Sequence, residues 1–197
     1  MPGSAGPGRF RRRGGARSTV DRRVGEARPL TAVYAWRGLD EPRFELAFVE
    51  LRGARLTAQG TQLGAGHRLE YALETGEDFV SERLQLECRT DRGTQTFDLQ
   101  RGSKPLVGEV LDLDLGYSPL FNSLPVLRHR LHEGGEARDY VMAWVAVPEL
   151  LVSESRQQYV PLGGGVVRFR SGSFSADLEF DGDGFVVSYP GLAERVV

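Results

Sequence analysis

Two aspartates, Asp112 and Asp114, an asparagine, Asn122, and an arginine, Arg128, fall within one short stretch, LDLDLGYSPLFNSLPVLRHRL, residues 111–131. Two kinds of chemistry suit such a set. Carboxylate, amide and guanidinium groups at the mouth of an apolar pocket would hold the polar end of an amphiphile. Alternatively Asp112 or Asp114 serves as a general base, since two like charges on one face of a strand, withdrawn from water, raise a carboxylate's pKa. Against both stands a purely structural reading. Leu111, Leu113 and Leu115 alternate with Asp112 and Asp114, the period-two pattern of an amphipathic strand with wet aspartates. Pro119 and Pro125 fix their own φ and bias Ser118 and Leu124 toward extended geometry, while Asn122 tolerates a left-handed backbone. The expectation is a strand, a rigid proline-bounded loop, and a second strand in VLRHRLHE.

No other constellation competes. G-x-S-x-G, H-E-x-x-H, the P-loop and G-x-G-x-x-G are all missing from the sequence. DGDG at 181–184 lacks the alternating ligands and the distal glutamate of a calcium loop, and suits a turn. His129 and His132 lie three apart, which on a strand sends them to opposite faces and away from a shared metal. His67 has no partner nearby in sequence. Cys88, the single cysteine, occupies an apolar position of a strand-like run and suits a buried, inert thiol. No metal, cofactor or recognisable catalytic set is expected.

These residues must be positioned by β-structure. In SFSADLEF (173–180), Phe174, Ala176, Leu178 and Phe180 face one way and the polar residues the other. DGDG then returns the chain into FVVSY. Gly163–Gly165 join QQYVPL to VVRFRS, LQLEC and TFDLQ flank TDRGTQ, and Gly134–Gly135 would join VLRHRLHE to EARDYVMAWVAV. Turn signals at this spacing indicate an all-β, all-antiparallel sandwich or barrel. At most one or two short helices are expected, the best candidate being PELLVSESRQQY at 148–159. YVMAWVAV (140–147) is apolar on both faces, so both should be covered, either in a packed centre or beside a ligand cavity.

The charge is unevenly placed. Residues 1–29 hold eight arginines against Asp21 and Glu26, a balance of +6, so with a net charge of −2 the remaining 168 residues carry −8. The first 29 residues, rich in Gly, Pro, Ser and Arg, bury too little to offset ordering entropy and read as a disordered tail. Residues 30–197 are then one β-domain, mildly acidic, with no surface suited to nucleic acid. No run reaches the ~18 apolar residues a membrane span needs, and no secretory apolar segment follows the basic N-terminus. A cytoplasmic location is expected.

The 111–131 segment resembles the signature of the glycolipid-binding family of small bacterial proteins, close to D-x-D-L…T-P-x-T-N-T-L-P-I-R-R-L. It matches at Asp112, Asp114, Leu115, Ser118, Pro119, Asn122, Leu124, Pro125 and Arg128. Trp36, Leu56 and Gly60 in ARLTAQG, Tyr71 in EYAL, Val147-Pro148, Gln158-Tyr159 and DGDGFVVSYPGL extend the resemblance over residues 33–195. Phe121 stands where that family usually has threonine, Leu127 where it has arginine, and GTQTFDL lacks a tryptophan often found there. The resemblance implies a single, highly curved antiparallel sheet rolled into a half-barrel or β-roll, with a concave face that holds a lipid or glycolipid without catalysis. Trp36, Tyr71, Trp144 and Tyr159 would line the wall, and Asp114, Asn122 and Arg128 would hold the polar end. A small-molecule enzyme using Asp112 or Asp114, and a protein–protein module docking through the sheet, are the other two readings.

Overall fold

The computed structural model describes Gly3, residues 29–102 and residues 112–196. The tail expected to be disordered therefore lies outside the described residues, apart from Gly3 and Pro29. Six strands run in sequence: β1 (Leu30–Gly38), β2 (Phe44–Arg52), β3 (Arg55–Gly64), β4 (His67–Thr75), β5 (Ser81–Thr90) and β6 (Gly93–Gln100). Then come β7 (Asp112–Leu115), helix α1 (Pro119–His129) and β8 (Arg138–Val145). The second run comprises β9 (Val152–Gly163), β10 (Val166–Ser171), β11 (Phe174–Phe180), β12 (Val186–Tyr189) and β13 (Ala193–Arg195).

All thirteen strands of the described residues belong to one sheet, ordered β6-β5-β4-β3-β2-β1-β13-β12-β11-β10-β9-β8-β7. Two meanders are thus joined where β1 pairs with β13, in the register Trp36↔Arg195, Arg37↔Glu194 and Gly38↔Ala193. The hairpins read around TDRGTQ, Gly163–Gly165 and DGDG are all present. The sheet curls until its far arms touch. The backbone N–H of Leu113 in β7 donates to the Ser81 hydroxyl at the start of β5 (3.3 Å).

Three local expectations are overturned. The stretch after β7 is not a loop and a strand but the helix α1. Eight of its eleven residues, Pro119 through Val126, are buried. A segment apolar on every side is stable as a helix when every side is packed, and burial outweighs the poor propensity of an internal proline. Pro119 occupies the first turn, where its missing N–H costs nothing. Pro125 falls inside the helix, and Arg130 closes it in the left-handed conformation. Second, β7 and β8 are parallel, Asp114 opposite Trp144, because a helical crossover brings the chain back in the same direction. VLRHRLHE and β8 therefore make no hairpin. Third, residues 152–159 of PELLVSESRQQY form the first part of β9 instead of a helix.

The space inside the curl is occupied. Leu120, Phe121 and Leu124 of α1 pack into an apolar cluster with Trp36, Tyr71, Leu84 and Leu113. Val126 enters a second cluster with Met142, Tyr159, Phe169 and Tyr189. β7 and β8 lie between the two. Leu113, Leu115, Ala143 and Val145 face the first cluster and Met142 the second, but Trp144 on that second face is exposed, so the cover expected on both sides of YVMAWVAV is only partial there.

Candidate functional site

Because the interior is filled, the place open to a ligand beside residues 111–131 is a surface cleft of about 420 Å³ where β7, the turn Gly116–Ser118, α1, β8–β11 and β12 meet. Asp114, Asn122, Trp144 and Gln157 line it, with Phe169, Phe174 and Tyr189 as further walls. The strand ladder sets this up. Asp114, Trp144 and Ser153 are register partners across β7, β8 and β9 and point the same way.

Under the cleft runs a chain of hydrogen bonds. The Gln157 amide donates to Asp114 Oδ2 (2.6 Å) and to Ser155 Oγ (3.2 Å). The Tyr159 hydroxyl donates to Gln157 Oε1 (3.1 Å), and the Asn122 amide donates to that hydroxyl (2.9 Å). Asp114 is 9% exposed. Burial pushes its carboxyl up to about 6; the bond from Gln157 works the other way, and the Asp112 charge adds to the rise. Burial also raises the Tyr159 phenol well above its ordinary value, and the Asp114 charge reinforces this.

Arg128 is engaged elsewhere. Its guanidinium grips both Asp112 oxygens and donates to the carbonyls of Asp78 (2.7 Å) and Phe79 (3.1 Å). Both side chains are buried. This pair ties β7 and α1 to the turn before β5, and it neutralises Asp112. Of the two aspartates, only Asp114 is free to meet a ligand. Neither is the wet aspartate of an ordinary amphipathic strand.

The seven residues singled out from sequence separate accordingly. Asp114, Asn122 and Trp144 meet at the cleft, with Trp144 37% exposed. Tyr159 lies directly beneath, fully buried. Trp36 and Tyr71 belong to the core. The Trp36 indole N–H donates to the Val186 carbonyl (2.9 Å), and Tyr71 packs edge-on against Phe121. His129 and His132 lie at the end of α1 and in the turn after it, and Cys88 is buried with its thiol pushed up by burial.

Several participants went unmarked by sequence reasoning. Gln157 shares strand parity with Ser153, Ser155 and Tyr159, a signal that was available. Phe169, Phe174 and Tyr189 carry none, because a half-buried aromatic on a strand looks the same at a core and at a cleft. Glu45 is the other omission. It shares parity with Ala47 and Val49 in β2 and is 2% exposed. The Tyr71 and Ser118 hydroxyls both donate to its Oε1, at 2.6 Å each. Burial pushes its carboxyl up to about 7, against the lowering effect of those bonds, the Gln62 contact and the Arg43 charge. Through Ser118 it holds the turn that forms one edge of the cleft.

A larger hollow of about 880 Å³ lies on the other face of β2–β6, lined by Phe48, Gln59, Glu70, Ala72 and Asp98 among others. Its carboxylates are exposed and paired, Glu70 with Arg68 and Asp98 with Arg83. Among the described residues its one buried polar side chain, Tyr71, is already committed to Glu45, and the smaller cleft is the better site. Among the described residues no cluster of three or more His, Cys, Asp or Glu could hold a metal, and no helix is long and apolar enough to cross a membrane.

With this geometry in view, the likenesses to other proteins can be placed. The chain is similar in fold to a crystal structure of a DUF1089 family protein from Pseudomonas aeruginosa, with a TM-score of 0.61 and 22% identity over 85% of this chain and 92% of that one. No curated protein matches it. A family model described as "Putative glycolipid-binding" matches residues 33–195, which include every strand contributing to the cleft and the whole of α1. The chain belongs to that family.

Proposed function

We propose that this protein binds an amphiphile without transforming it, with the polar end of the ligand in the cleft beside β7 and its tail along the aromatic wall. One observation carries the reading: a nearly buried carboxylate, Asp114, and an amide, Asn122, stand at the floor of a cleft walled by Trp144, Phe169, Phe174 and Tyr189. Apolar walls with a few convergent polar groups characterise small-molecule sites, and about 420 Å³ falls within their usual range of roughly 300–1,000 Å³. The family description, glycolipid binding, agrees in ligand class. The binding energy is accessible. Each buried methylene contributes ~0.8 kcal/mol, so six would supply ~5 kcal/mol before ordering costs.

The test is retention. The purified protein is incubated with a bacterial lipid extract, re-isolated and examined by native mass spectrometry, and Trp144 emission is followed during titration. A bound lipid and a Trp144 response support the reading. Absence of any retained lipid from extracts of several compositions would refute it.

A second reading, catalysis through Asp114, draws support from a carboxyl held near 6, in the range where a general acid or base works at neutral pH. Asp112 takes no part, since Arg128 holds it. Turnover of any candidate substrate that persists in Asp114→Asn would eliminate this role.

A further inference from the structure

The polar floor of the cleft has a direction, and the direction identifies the ligand's head. Gln157 uses its amide N–H groups on Asp114 and Ser155, Tyr159 uses its hydroxyl proton on Gln157, and Asn122 uses one amide proton on Tyr159. What this network leaves open at Asp114 is acceptor capacity, beside the second amide N–H of Asn122. Among the described residues Gln157 alone donates to the Asp114 carboxylate, which has room for several more bonds and is nine-tenths buried. A buried carboxylate with unfilled lone pairs favours a donor, above all a charged one.

Charge points the same way. Among the described residues no arginine, lysine or histidine lines the cleft. Its other acid, Glu154, is paired with Arg156 (3.1 Å), so among the described residues of the cleft Asp114 is the one charge without a counter-ion. The walls suit a cation. Phe169, Phe174 and Tyr189 form a triangle with ring centroids 6.0, 6.1 and 6.3 Å apart. The Trp144 ring stands next to Asp114 in the ladder. Aromatic faces attract cations and gain more when water is excluded. The opposing field is the positive end of α1, equivalent to about half a charge. That end begins at Pro119, which has no N–H to offer an anion.

We propose that the cleft selects an ammonium head group: the ligand is an amphiphile bearing a protonated amine, held by Asp114 and enclosed by the aromatic wall, and phosphate or carboxylate heads are disfavoured. This rests on the amphiphile-binding reading and makes it specific.

The experiment compares three probes with the same twelve-carbon chain, each below its micelle-forming concentration, by calorimetry at pH 7.5 on the full chain: dodecylammonium, dodecyl maltoside and dodecanoate. Dodecylammonium is expected to bind about ten-fold more tightly than either of the others. The acidic surface would attract any cation, so the preference must also disappear in Asp114→Asn. Phe174→Leu keeps an apolar side chain at an exposed position while removing one ring, and provides an independent arm. Every tail loses part of the wall, but dodecylammonium should lose about three-fold more affinity than dodecyl maltoside, because only the cation used the ring face. Equal binding of all three probes overturns the ammonium assignment and leaves amphiphile binding standing. So does a preference that survives Asp114→Asn, or an equal loss for every probe in Phe174→Leu. Binding of none of the three overturns both readings.

Discussion

Glu45 makes the folded state sensitive to pH in an unusual sense. Its carboxyl, buried beside Tyr71 and Ser118, is raised from an ordinary value of 4.5 to about 7. Between those values the folded protein holds a proton that the unfolded chain has released. Stability therefore falls as pH rises through this window, by linkage. The gap corresponds to ~3 kcal/mol at ~1.4 kcal/mol per pH unit. The structure suggests where the proton resides. Glu45 Oε2 and Gln62 Oε1 are both buried without a hydrogen-bond partner, and the two side chains are in contact. A proton on Oε2 turns that unpartnered acceptor into a donor, while Oε1 continues to accept from Tyr71 and Ser118.

Glu45→Gln reproduces that neutral form at every pH, with the new amide donating to Gln62 and the carbonyl accepting the same two hydroxyls. At pH 8 the variant should be more stable than the parent by ~3 kcal/mol, a rise in Tm of about 6–12 °C for a chain of this size. At pH 4.5 the two should coincide. Asp114, also raised by burial, contributes equally to both proteins and cancels in the difference. Urea unfolding followed by circular dichroism at pH 4.5, 6 and 8 measures the quantity directly. A variant no more stable than the parent at pH 8 would refute the reasoning, because Glu45 would then already be well stabilised as the anion.

Three further outcomes follow from named contacts. Arg128→Met leaves Asp112 buried without its partner and should cost ~3–5 kcal/mol in urea unfolding. The double variant Arg128→Met with Asp112→Leu should recover much of that loss. Gly60→Ala places a Cβ 2.2 Å from the Tyr71 ring, whose far end is fixed by its bond to Glu45, so the ring must move. A loss of ~2 kcal/mol or more is expected, visible as a lower thermal midpoint. Tyr159→Phe removes the hydroxyl shared by Asn122 and Gln157 and should cost ~1–3 kcal/mol. The side-chain amide resonances of both residues should shift in an NMR spectrum.

The strands were legible because alternation is local. SFSADLEF displays its buried face residue by residue, and the glycine turns declare their hairpins. Those features indicated an antiparallel sandwich or barrel, and the single curled sheet came with the family resemblance carried by the 111–131 signature. α1 was not legible, since a helix packed on all sides has no polar stripe to reveal its period, and two prolines within seven residues suggest a break. The parallel return of β8 follows from that helix and was hidden with it. At the site, Asp114 and Asn122 could be singled out because polar groups in an apolar run are conspicuous. Aromatic residues are ambiguous in kind: Trp36 and Trp144 look equivalent in sequence, yet one seals the core and the other faces the cleft. Arg128 has the chemistry to meet an anion, and only the fold reveals that Asp112 and two backbone carbonyls already occupy it.

The β1–β13 seam bears on how the protein is made. Arg37 meets Glu194 across 157 residues, so β1 must wait for β13 to be synthesised before its free edge is covered. Until then the early meander exposes a row of unsatisfied backbone groups, an invitation to pair with a neighbouring nascent chain. Strand order alone therefore sets how long that edge stays open during synthesis.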